Sequence, residues 1–167
     1  RQTPAGLVID QLRCDGHFID VNGSGSLADA SFSAQADLSR MKSALDQFFD
    51  LPDLVLAGQL QTSGQWRRED AERFHLEGKV TAESLRVSLS DQRAWSEPRL
   101  DVAVQATGRC DAQLRPQSLE MLRVVLQAGE DQARIELVEP VQGLDPVQGA
   151  CTAVVEGRLE SWLSRLR

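Results

Sequence analysis

Tyrosine is absent from this sequence, and the side chains from which catalytic and metal sites are most often built are scarce: two histidines and three cysteines in 167 residues. Cys14, Cys110 and Cys151 lie too far apart for a zinc site, which draws its ligands from closely spaced pairs. They read either as small, half-buried hydrophobes or as one disulfide plus one free thiol, a state that needs an oxidising compartment. Lys and Arg number 18 against 25 Asp and Glu, for a net charge of −7, and Arg67-Arg68 is the one adjacent basic pair. Phosphate binding needs clustered cations, so nucleic acid is not expected as a partner. No apolar run approaches the roughly 20 residues that span a bilayer as a helix, so no membrane span is expected. The chain opens Arg1-Gln2-Thr3-Pro4, with neither an initiator Met nor a signal peptide. That opening fits a fragment of a longer protein whose targeting signal lies elsewhere.

Catalytic motifs are missing as well. There is no Gly-x-Ser-x-Gly elbow, Walker loop, His-Glu-x-x-His or Gly-x-Gly-x-x-Gly. His17 and His75 fall beside aromatic or apolar residues and read as strand histidines. Asn22-Gly23-Ser24-Gly25-Ser26 has no lysine and no following helix, and reads as a loop between strands. Glu69-Asp70-Ala71-Glu72, next to Arg67-Arg68 and Arg73, lacks the ligand spacing of a calcium loop and reads as a solvated mixed-charge loop. Trp66, Trp95 and Trp162 are expected to cover edges and ends of a sheet, since sugar-binding surfaces usually add Tyr and a polar cluster. The chain is therefore read as non-enzymatic, with no cofactor and no metal.

What the sequence does have is alternation of apolar and polar residues, the mark of strands with one buried face. Leu54, Leu56, Gly58 and Leu60 form one such row. Phe74, Leu76, Gly78 and Val80 form a second, Leu85, Val87 and Leu89 a third, and Leu100, Val102, Val104 and Ala106 a fourth. Shorter rows occur at Ala30–Ala36, Leu122–Leu126, Ala133–Leu137 and Cys151–Val155, with less regular ones at Leu7–Leu12 and His17–Val21. Turn signals stand at Asp15-Gly16, Asn22-Gly23, Ser63-Gly64, Thr107-Gly108 and Ala128-Gly129-Glu130. Short connections favour antiparallel neighbours. The expected fold is mainly β: an antiparallel meandering sheet of about ten strands, either an open U-shaped groove or a sandwich.

Two segments switch to helical period. Leu38, Met41, Leu45, Phe48 and Phe49 share a face of a helix over 37–50, with Asp37 as N-cap and Leu51-Pro52 as stop. Leu159, Trp162, Leu163 and Leu166 do the same over 158–167. An offset of about 121 residues matches Ala34–Leu38 to Val155–Leu159, Met41 to Trp162 and Leu45 to Leu166. Residues 1–167 thus read as a single β-rich domain from a longer, repeat-containing protein, with a second unit beginning near residue 119.

The stretch Asp37-Leu38-Ser39-Arg40-Met41 through Leu54-Val55-Leu56-Ala57-Gly58-Gln59-Leu60, followed by Phe74-His75-Leu76-Glu77-Gly78 and a Leu-x-Val strand, resembles AsmA-like and TamB-like bacterial envelope proteins. Trp95-Ser96-Glu97-Pro98 before an alternating strand fits the same cadence. The resemblance implies a long sheet whose apolar inner face carries lipid acyl chains on the periplasmic side of the cell envelope, with no catalytic residues. It makes the rows Leu54, Leu56, Leu60; Phe74, Leu76, Val80; Leu85, Val87, Leu89; and Leu100, Val102, Val104 a candidate apolar groove. The expected partners are acyl chains or neighbouring repeats of the same protein. The alternative is a β-sandwich binding or adhesion module for protein or carbohydrate, its apolar rows sealed against a second sheet.

Overall fold

The computed structural model describes residues 2–3, 6–49, 54–70, 72–89, 95–111, 113–143, 149–158 and 160. Alternating rows become strands throughout: β1 (Gln2–Thr3), β2 (Gly6–Asp15), β3 (Ile19–Ser26), β4 (Asp29–Asp37), β5 (Leu54–Arg68), β6 (Arg73–Leu89), β7 (Trp95–Cys110), β8 (Pro116–Ala128), β9 (Asp131–Leu137), β10 (Val141–Gln142) and β11 (Cys151–Glu156). They form a single antiparallel sheet in the order β1-β2-β3-β4-β5-β6-β7-β8-β9-β11, with β10 paired to β8. The sheet is open. Among the described residues no second sheet seals it, so the sandwich architecture does not hold.

The central strands are longer than the turn signals foretold. β5, β6 and β7 run 15, 17 and 16 residues. Asn22-Gly23, Ser63-Gly64 and Thr107-Gly108, read as turns or a loop, lie inside β3, β5 and β7. A Cβ on Gly64 would stand 2.5 Å from the Phe32 ring, and one on Gly108 would run into the Ser118 carbonyl oxygen and stand 3.0 Å from the Phe74 ring. Both glycines therefore leave room for an aromatic ring from the neighbouring strand, a packing role that a local sequence signal cannot separate from a turn.

α1 (Leu38–Leu45) begins where expected: the Asp37 carboxylate accepts the Arg40 N–H at 3.0 Å. It ends earlier, after eight residues. Leu38, Met41 and the sheet residues Ala82, Leu85, Leu56, Leu60, Val87, Trp95 and Leu100 build the core. Phe48 and Phe49, expected to be buried, are 80% and 58% exposed. α1 gives way after Leu45 to turns in which the Phe48 and Phe49 N–H groups both donate to the Leu45 carbonyl, at 3.0 and 2.9 Å, and both rings stay outside the cluster that Leu38 and Met41 enter. Of the second expected helix, only Arg158 and Glu160 are described; Leu159, Trp162, Leu163 and Leu166 lie outside the described residues.

Candidate functional site

Residues directly opposite one another in an antiparallel ladder put their side chains on the same face. Leu54 faces Leu89, Leu56 faces Val87 and Leu60 faces Ala82 across β5 and β6. Leu76 faces Ala106, Val80 faces Val102 and Ala82 faces Leu100 across β6 and β7. Leu100, Val102, Val104 and Ala106 then meet Ala128, Leu126, Val124 and Leu122 of β8. The four rows thus share one face. Phe74 and Leu85 are buried there, while Leu54, Leu56, Leu60, Leu76, Val80, Val87, Leu100, Val102 and Val104 are half-buried. The backbone of Leu89 pairs with Leu54, and its side chain lies outside the described residues.

That common face depends on a bulge. Val80 and Ala82 are even-numbered and Leu85 and Val87 odd, so strict period two would send them to opposite faces. Ala57 pairs with Arg86 and Gln59 with Glu83, so β6 holds one more residue here than β5. Ser84 takes φ 52 and Gly58 φ 120 to accommodate it. β7 follows β6 through this change of phase in unbroken register, so Trp95 and Glu97 stand opposite Val87 and Leu85.

The apolar face runs on beyond the four rows. Ala30, Phe32, Ala34 and Ala36 of β4 join it by facing Trp66, Gly64, Thr62 and Leu60. Ala133 and Ile135 of β9 join by facing Leu126 and Val124, and Ala153 and Val155 of β11 follow. Trp66 stacks on Phe74 at 4.9 Å and donates its indole N–H to the Leu27 carbonyl. α1 covers one end only.

Polar groups that the row pattern missed lie on this face. Thr62 stands between Ala34 and Val80. Glu97, opposite Leu85, is buried and accepts the Trp95 indole N–H at 3.3 Å. Asp131, opposite Ala128, is buried and accepts the Arg158 backbone N–H at 2.9 Å. The face is therefore apolar along its middle and bordered by two carboxylates near the α1 end. No signal in the alternation distinguishes Glu97 from a solvent-facing glutamate, because the shift in strand phase is what turns it inward.

The opposite face is polar and cross-linked by charge. Asp101 accepts Arg99 Nε at 2.7 Å and Thr81 Oγ1 at 2.6 Å, which lowers its pKa to about 2. Glu120 bonds Arg109 Nε at 3.2 Å, and Arg123 lies 3.3 Å from Glu136. His75 lies 3.1 Å from Glu77, whereas His17 is exposed at the bend before β3. Asp70 accepts the N–H groups of Glu72 and Arg73 at 2.8 and 2.7 Å, so the acidic run caps the β5–β6 turn. A concavity of about 510 Å³ lies on this polar face among Ser63, Gln65, Glu77, Lys79, Gln105 and Arg123. Of the candidate groove residues only Val104 borders it. The charged groups of this face are engaged with one another in ion pairs, and the arrangement suits solvation of the sheet.

Cys14 and Cys151 are exposed free thiols and Cys110 is a buried one, so only Cys110 behaves as an enclosed hydrophobe. Among the described residues no group of three or more His, Cys, Asp or Glu side chains could hold a metal, and no helix is long and apolar enough to cross a membrane. No protein-family model, curated protein or solved structure matches the chain.

Proposed function

We propose that this chain is a non-catalytic, β-rich segment of an AsmA-like envelope protein, and that its apolar sheet face accommodates lipid acyl chains on the periplasmic side of the envelope. The observation that carries this reading is the unsealed apolar face, continuous from β4 to β11 while α1 covers one end. Contiguous exposed apolar surface on a folded protein marks a place where something apolar binds. Acyl chains suit it because the middle rows present aliphatic side chains without charge, and each methylene removed from water contributes about 0.8 kcal/mol. Such a surface is a strip and not an enclosed pocket, so it recognises chain length and greasiness more than chemical detail.

Val104 lies on the apolar face away from α1, and its neighbour Ala103 lies on the polar face. The chain is purified from an expression host and its co-purifying lipid is measured by mass spectrometry. Wild type and Ala103→Glu retain lipid, and Val104→Glu loses it while keeping a strand-rich circular dichroism spectrum. Lipid-free wild type, or equal lipid in both variants, rejects the proposal.

A further inference from the structure

The two long edges of the sheet differ in a way that points to a partner. β2 carries the devices that blunt an edge: a register shift between Ile9 and Leu12, charges at Asp10, Arg13 and Asp15, and β1 folded back onto Gly6 and Leu7. β11 has none of them. Its sequence Cys-Thr-Ala-Val-Val-Glu contains no Pro, no Lys and a single terminal charge, and every residue is exposed. Its six positions pair with β9 in unbroken register.

The direction of the outer hydrogen-bonding groups follows from one inner bond. Val138 N–H donates to the Ala150 carbonyl at 2.9 Å, so Ala150 aims its backbone groups inward. Backbone groups alternate sides along a strand. Thr152, Val154 and Glu156 therefore bond toward β9, while Cys151, Ala153 and Val155 aim theirs outward. Among the described residues no strand lies beyond them.

We infer that this edge pairs with the same edge of a second copy, antiparallel and centred on Ala153. A two-fold axis perpendicular to the sheet keeps each apolar face on the same side and reverses the strand direction. In that register Ala153 faces Ala153 of the copy, and Cys151 and Val155 face each other twice. All three outward residues then exchange both bonds, for about six across the seam. A seam centred on Val154 leaves Cys151 without an opposite outward residue in β11. Glu156 does not meet Glu156 of the copy, so no like charges oppose. The occupant is a second copy because the edge is self-complementary in this register and carries no internal charge to repel itself. A head-to-tail seam would set β11 against β2, whose bulge and charges are unsuited to a regular ladder. The inference stands independently of what the apolar face binds.

The experiment uses the whole chain. Light scattering after size-exclusion chromatography, from low to high micromolar concentration, gives twice the monomer mass at the upper end. Ala153→Pro removes only an outward N–H, as edge-strand proline does, and returns a monomer with unchanged far-ultraviolet circular dichroism. In a Cys14→Ser background, Val155→Cys yields a covalent dimer on mild oxidation, because Cα atoms of such pairs lie about 5.5 Å apart, within disulfide reach. Adding Cys151→Ser abolishes it. A monomer at every concentration, a dimer that survives Ala153→Pro, or a cross-link that ignores Cys151 overturns the inference.

Discussion

Gly58 and Gly78 are both strand glycines in the centre of the sheet, yet alanine at each has opposite expected consequences. Gly58 sits at φ 120 beside the β6 bulge, where a Cβ would stand 2.7 Å from the Glu83 carbonyl oxygen and 2.9 Å from that of Ser84. Both obstacles are backbone and cannot rotate away. The dihedral alone costs on the order of 1–3 kcal/mol for a residue with a Cβ, and relieving the contacts shifts the bulge itself. The expected loss for Gly58→Ala is therefore about 3 kcal/mol, with the Leu85–Val87 segment disturbed because the bulge sets its face. At Gly78 a Cβ would meet nothing closer than the Ser63 carbonyl oxygen at 3.9 Å. Alanine there relieves glycine's entropic penalty in a strand, so Gly78→Ala should be neutral or gain roughly 0.5 kcal/mol. Urea unfolding followed by circular dichroism measures both. Equal stabilities for the two variants, or a Gly58→Ala loss below about 0.5 kcal/mol, would refute the bulge as the device that gathers the apolar rows.

Two further predictions concern stability. Phe48→Ala should cost under about 0.5 kcal/mol because the ring is exposed, whereas Leu85→Ala in the α1 contact should cost about 2–4 kcal/mol by the same urea assay. Asp101 is held below the usual carboxylate range by Arg99 and Thr81, so its folded-state pKa lies under its unfolded one. Its contribution is then complete above about pH 4 and is lost as pH falls toward 2. Melting temperatures of wild type and Asp101→Asn should differ at pH 6 and converge near pH 2, and a constant gap would contradict the assignment.

Period-two alternation, turn residues and the Asp37 cap are properties of short windows. They determined the mainly β class, the antiparallel meander and the start of α1 from the sequence alone, because pleat and cap geometry act within a few residues. The rows at Leu54, Phe74, Leu85 and Leu100 were legible for the same reason. What joins Val80 and Ala82 to Leu85 and Val87 on one face is the Ser84 bulge, and that exists only against the register of β5. Gly64 and Gly108 look like turns until Phe32 and Phe74 arrive from neighbouring strands. Glu97 looks solvent-facing until the same change of phase, followed by β7, buries it beside Trp95. Phe48 and Phe49 continue a helical stripe in the sequence, but α1 stops at Leu45 and leaves them in water. Whether the sheet closes on itself, and which edge it leaves bare, are decided by pairings between residues far apart in the chain, which no local pattern encodes.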